Sequence, residues 1–194
     1  MGIRCFICIE FPESVKQSIG DVIDILRKSG ADIRWVSPEN IHLTLKFLGQ
    51  TDESLITPIK DSLHKKVLPY GSFYIKISGV GYFPDSKRPR VIWAGVEESE
   101  LLKKLSRDIE EEMLKFGYEN EKKAFSPHLT IGRVRSQKRI AEVLKRLDEF
   151  SKSDFGNIEI NNIILMKSEL KPAGAQYYRL AEIPFGRRND VEQG

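Results

Sequence analysis

Cysteine, tryptophan, histidine and threonine are all scarce in this chain of 194 residues, which has two, two, three and four of them. Two cysteines cannot build a disulfide framework. Cys5 and Cys8 stand three apart in a strand-like stretch and so face opposite sides, which makes a CxxC redox or metal half-site a poor description and structural thiols the expectation. No apolar run approaches the roughly 20 residues of a membrane span. The opening MGIRCFICIEFP is too short an apolar run, and lacks the cationic leader, for a secretory signal. A soluble, cytoplasmic protein is expected. A dominant charge is missing too: 31 basic against 28 acidic residues leave a net +3, which permits nucleic acid as a partner without requiring it. There is no GxSxG nucleophile elbow and no glycine loop to cradle phosphate. Glu10 and Glu39 are isolated, so neither a metal site nor a cofactor is expected.

What is present is an ordinary globular composition, 40% hydrophobic, with a long-range repeat. Residues 1–11 alternate as a strand. Val15, Ile19, Val22, Ile23 and Leu26 follow at helical spacing, with Gly30 to close the helix. IRWV, the SPEN turn and HLTLKFLG come next, then a helix over about 54–67 with Pro58 in its first turn, and a strand SFYIKISGVGYF kinked at its glycines. The order then recurs: strand RVIWAGV, helix 99–116, HLTIGRV, helix 138–150, and strands near IEINNIILMKSEL and AQYYRLAEIPF. Two such halves, roughly 1–85 and 86–185, predict a single bilobal α+β domain with an approximate twofold axis. Two antiparallel or mixed sheets would line a central cleft, with helices outside. GVGYFPDSKRPR is the expected loop between halves, and the tail from Gly186 is expected to fray.

The repeat is sharpest at IHLTLKFLG, from Ile41, and PHLTIGRV, from Pro127, 86 residues later. Half of all the threonines lie two residues after a histidine in these phrases. In an extended strand His42 and Thr44 share one face while Leu43 and Leu45 share the other, and His128 and Thr130 stand likewise against Leu129 and Ile131. A single His-Leu-Thr is most often a half-exposed polar pair, and duplication alone shows ancestry. Core packing, however, has no need of polar residues on the outer face. Two imidazoles facing one cleft, each able to give or take a proton near neutrality, with two hydroxyls to hold oxygens, are shaped for a phosphodiester.

At these phrases the sequence resembles the two-histidine phosphoesterase superfamily, and within it the RNA 2′,3′-cyclic phosphodiesterases, whose bacterial members are also called 2′-5′ RNA ligases. The paired HxTx motifs are HLTL at 42–45 and HLTI at 128–131, in the contexts RWVSPENIHLTLKFLG and AFSPHLTIGRVR. The resemblance implies metal-independent hydrolysis of a terminal 2′,3′-cyclic phosphate on RNA to a 2′-phosphate. His42 would be the proton donor and His128 the proton acceptor, with Thr44, Thr130 and Arg133 on the phosphate. Pseudo-symmetry leaves either imidazole able to take either role. Arg133 is an odd number of positions from His128, so it needs a bulge, which Gly132 could supply, to turn inward.

Phe47 and Phe6 are candidates to stack on a base, as are Phe125 and Trp93, though each also reads as a core aromatic. Lys87, Arg88 and Arg90 in DSKRPR could track an RNA backbone, or be a solvated loop. His64 sits on a polar helix face and takes no role. The protein is expected to act as a monomer on RNA ends. The competing functions are 2′-5′ ligation by the same site and a non-catalytic nucleotide- or RNA-binding module.

Overall fold

The computed structural model describes residues 2–172 and 174–186, so all but the first residue of the tail expected to fray lies outside them. The first half runs β1 (Gly2–Glu10), α1 (Glu13–Arg27), β2 (Ile33–Trp35), β3 (His42–Asp52), α2 (Ile56–Val67) and β4 (Phe73–Phe83). The second runs β5 (Val91–Val96), α3 (Glu100–Leu114), β6 (His128–Val134), α4 (Ile140–Glu149), β7 (Asp154–Ile160), β8 (Asn162–Lys171) and β9 (Gly174–Pro184). Local chemistry accounts for the boundaries. Ser99 caps α3 by accepting from the Leu102 amide at 3.3 Å, and Pro58 falls in the first turn of α2, where no helical amide bond is lost. Gly30, at φ +68°, reverses the chain after α1. The kink expected in β4 is there: Gly79 has φ +66°, and the pairings on both sides of it slip.

Among the described residues the strands form one antiparallel sheet in the order β7-β4-β5-β6-β3-β1-β8-β9, with β2 against the far end of β6. The two sheets expected from the repeat are thus joined edge to edge where β3 meets β6. Each takes strands from both halves of the chain. β4, from the first half, lies between β5 and β7, while β8, from the second, pairs with β1. The segment expected as the loop between halves is strand as far as Phe83, and only the residues after it turn.

One buried cluster fills the helix-covered side, with Val15 and Ile19 of α1, Ile59 and Leu63 of α2, Leu102 and Leu105 of α3, and Val143 and Leu147 of α4 around Leu43 and Leu129. Burying each such aliphatic side chain is worth about 1.5–3 kcal/mol. A smaller cluster of Phe6, Cys8, Ile164 and Met166 lies on the other face, so Cys5 and Cys8 do point to opposite sides, both buried. Lys46, only 3% exposed, crosses from β3 to α3 and ends on Glu110 Oε2 at 2.7 Å and the Glu119 carbonyl at 2.6 Å. A buried ammonium is tolerated only when paired and hydrogen-bonded in this way.

At the β2–β6 edge, Trp35 pairs with Gly132. A Cβ on Gly132 would lie 2.9 Å from both Ile33 Cγ2 and Trp35 Cε3, so no side chain fits. Gly132→Ala is expected to lose about 1–3 kcal/mol through overpacking. Urea unfolding checks this as a lower midpoint at unchanged slope.

Candidate active site

Strands β3 and β6 touch through one Cα pairing, Leu43 with Leu129. These are equivalent residues of the two repeats, so a local twofold axis passes between them. Antiparallel register then sets His42 opposite Thr130 and Thr44 opposite His128, all four on the face away from the buried leucines. The two histidines are diagonal neighbours, a relation that separates such residues by about 7–8 Å and their Cβ atoms by somewhat less.

The two rings are held alike. His42 Nδ1 lies 2.7 Å from the Asn40 carbonyl and His128 Nδ1 lies 2.7 Å from the Ser126 carbonyl. A carbonyl can only accept, so Nδ1 carries a hydrogen in both, leaving Nε2 as the atom that exchanges protons. His42 Nε2 meets Thr44 Oγ1 at 3.1 Å. Aromatic rings brace each imidazole. Phe6 lies 4.8 Å from His42, Tyr177 meets it edge-on at 5.1 Å, and Phe83 meets His128 edge-on at 5.1 Å.

Both motif strands break alternation at the same place. On β3, Thr44 pairs with Cys8 and Lys46 with Ile7, leaving Leu45 extra. On β6, Thr130 pairs with Trp93 and Gly132 with Ile92, leaving Ile131 extra. In such a bulge two consecutive residues lean to the same side. Leu45 and Lys46 both go to the core, as do Ile131 and Gly132, and the next residues, Phe47 and Arg133, return to the histidine face. The inward turn expected of Arg133 is therefore made, by a bulge one residue ahead of Gly132. The matching bulge at Leu45 had no glycine to mark it and was not expected.

Of the aromatic candidates, Phe47 is 51% exposed and presents a free ring. Phe6 does not. It is 2% exposed, closed in by His42, Phe47 and Tyr177, so it braces the site and has no face to offer a base. Trp93 is packed over Gly81 and against Phe83, and Phe125 packs on the main core.

Three residues at the site carried no sequence signal strong enough to select them. Arg34 pairs directly across from Arg133, so two guanidinium groups share the histidine face, and among the described residues neither meets a carboxylate. Like charges directly opposite are destabilising in a sheet, which an anion between them would relieve. Alternation in IRW, with Ile33 and Trp35 inward, was the available clue. Tyr177 arrives from β9, 135 residues after His42, with nothing local to announce it. Glu10 is opposite His42 across β1–β3, its Oε2 2.6 Å from Arg179 Nε, whereas the equivalent position beside His128 is Gly95. The contact is a charge pair poorly aligned for hydrogen bonding, which leaves that buried oxygen otherwise unpartnered.

Burial pushes the His42 pKa below the ordinary imidazole value of 6.5; Lys16 and Arg133 add to the depression, and the Asn40 carbonyl and Glu10 oppose it. Burial likewise raises the Tyr177 phenol, against the pull of Arg133, Arg34 and Arg4. The free site is thus cationic around a neutral His42.

A protein-family model described as LigT like Phosphoesterase matches residues 9–93 and 95–177, each stretch carrying one HLT phrase. Among curated relatives, the RNA 2′,3′-cyclic phosphodiesterase of Thermotoga maritima is 39% identical over 185 residues, covering 94% of this chain and 96% of that one. The protein of the same name from Methanothermobacter thermautotrophicus is 32% identical over 177 residues, 91% of this chain and 96% of its own. Among solved structures, TT0787 of Thermus thermophilus superposes with a TM-score of 0.81 at 24% identity, covering 96% of this chain and all of that one, 100%. E. coli LigT complexed with 3′-AMP gives a TM-score of 0.75 at 19% identity, covering 95% and 99%. At these identities the two structures share the fold.

An NMR titration of the free protein should place the His42 midpoint below 6.5, where the charged form is penalised. Bound inorganic phosphate should move it up. Glu10→Gln, which removes the carboxylate that favours the imidazolium, should move it further down; a midpoint unchanged in both would contradict the electrostatics described.

Proposed function

The chain belongs to the LigT-like phosphoesterase family, and we propose that it is an RNA 2′,3′-cyclic phosphodiesterase which opens the cyclic ester to a 2′-phosphate. The observation that carries this is the Leu43–Leu129 pairing, because it turns two distant histidines toward one small volume. Phosphorus sits between the rings. His128 Nε2 removes a proton from water, the hydroxide attacks in line, and His42 Nε2 protonates the departing 3′ oxygen. Thr44, Thr130 and Arg133 hold the non-bridging oxygens as negative charge builds on them, with Arg34 as a second guanidinium. The exposed face of Phe47 is offered to the terminal base.

Glu10 supports His42 as the donor. It stabilises an imidazolium at that position, and Gly95 supplies no counterpart at His128. The bound phosphate anion adds to this effect, so the substrate itself helps charge the acid. Both proton transfers are covered by imidazole, which supports turnover without a metal ion.

The test is turnover of a nucleoside 2′,3′-cyclic phosphate in EDTA, with identification of the hydroxyl that keeps the phosphate. A 2′-phosphate is expected. His42→Gln and His128→Gln should each lose on the order of 10² to 10⁴ in kcat. The wild-type pH profile should be bell-shaped, as one general base and one general acid require, with activity lost at high pH as His42 gives up its proton. The alkaline limb of kcat should lie above that of kcat/KM, since bound phosphate holds the proton on His42. His42→Gln should abolish the alkaline limb and His128→Gln the acid limb. Wild-type rates in either variant would refute the assignment.

A further inference from the structure

Beyond the catalytic face, β6 continues into a second cationic feature that neither the chemistry nor the phosphate contacts use. A shallow groove is lined by Arg88, Pro89 and Arg90 on one side and by Val134, Arg135 and Gln137 on the other. The loop that carries the first three is tied down at several points. The Asp85 carboxylate accepts from the Lys87 and Arg88 amides at 2.9 and 3.1 Å, and the Arg90 amide donates to the Phe83 carbonyl at 2.7 Å. Across the groove, the Val134 amide donates to the Arg90 carbonyl at 2.9 Å, and Gln137 Nε2 reaches the Pro89 carbonyl at 3.4 Å. The backbone of both walls is therefore set in advance, and the guanidinium groups stand on it. Among the described residues, Arg88, Arg90 and Arg135 form no ion pair; the arginines that do are Arg27 and Arg179. Three exposed arginines around one concavity make it a place where an anion is favoured.

The groove begins where the second motif strand ends. Arg133 follows His128 and Thr130 along β6, Arg135 comes directly after that strand's last residue, and Arg90 precedes Val91, the residue that pairs with Arg133. From His128 to Arg135 is roughly 20 Å of extended chain, the length of a few nucleotides of single strand. The occupant must present several negative charges in a row and tolerate an open, polar trough with no aromatic face.

We infer that this groove holds the sugar-phosphate backbone upstream of the RNA end, so that Arg88, Arg90 and Arg135 bind internal phosphates while the terminal cyclic phosphate lies between the histidines. The inference rests on the function proposed above. It makes the arginines determinants of substrate length: they contribute to binding an oligonucleotide and nothing to a mononucleotide. Their contacts are with phosphate, so the gain is independent of base sequence and sensitive to salt.

The experiment compares wild type with the triple variant Arg88→Ala, Arg90→Ala, Arg135→Ala on two substrates, a short RNA oligonucleotide ending in 2′,3′-cyclic phosphate and a nucleoside 2′,3′-cyclic phosphate. For the oligonucleotide, KM should rise about tenfold at low salt, and the slope of log KM against log salt should fall by roughly 2, the counterion release of three phosphate contacts to a single strand. On the nucleoside substrate kcat/KM should be unchanged, which also shows that the variant is folded. Equal losses on both substrates, or a wild-type KM and salt slope on the oligonucleotide, would overturn the inference. Anisotropy with a fluorescent RNA of the same length lacking the cyclic phosphate separates the two levels. If wild type turns over neither substrate, the proposed function fails, and the groove then stands or falls on whether the variant loses affinity and salt slope for that RNA.

Discussion

A single cross-strand pairing, Leu43 with Leu129, governs the architecture of this protein. It joins what would otherwise be two four- and five-stranded sheets, and it does so between equivalent residues of a duplicated sequence. Strand alternation makes the rest obligatory. With both leucines pressed into a common core, the histidine and threonine on either side of each must rise from the opposite face, and the local twofold axis brings all four together. A slip of one residue would bury the imidazoles and expose the leucines. The helices behind the sheet hold the register through their contacts with Leu43 and Leu129, so apolar packing on one side sets polar geometry on the other.

Symmetry supplies a matched pair, whereas hydrolysis needs unlike partners. The differences lie at equivalent positions. Both strands carry a bulge two residues after the pairing leucine, but behind it β3 has Lys46 bound to Glu110 and β6 has Gly132 beneath Trp35. The residue that each bulge returns to the open face is Phe47 in one half and Arg133 in the other. Beside the histidines stand Glu10 and Gly95. One flank thus offers an aromatic surface and a carboxylate, the other a guanidinium that is doubled by Arg34. The bulges are the device that makes these residues available at all, since strict alternation would have sent both to the core.

Much of this was legible in the sequence. Helical spacing in 13–28 and 99–116, the glycine stops and the placement of Pro58 in a first turn all reflect local chemistry, and α1, α2 and α3 lie where that chemistry puts them. The HLT phrases and their shared face follow from period-two alternation. What was hidden is non-local. The exchange of β4 and β8 between sheets depends on pairings between segments far apart, as does the arrival of Tyr177 from β9 beside His42. Phe6 was expected to meet a base because it sits in an alternating strand near the motif; that Ile164, Met166 and Tyr177 cover it depends on which strand lies next to β1. Arg34 became visible only once β2 was known to pair with β6.

The most direct test of the central claim is a crystal structure with a nucleoside 2′,3′-cyclic vanadate, a stand-in for the five-coordinate phosphorus. One apical oxygen should lie about 2.6–3.2 Å from His42 Nε2 and the other at a similar distance from His128 Nε2, with Thr44, Thr130 and Arg133 on the equatorial oxygens. Vanadium bound to one imidazole only, or with both histidines on the same side of it, would contradict the account.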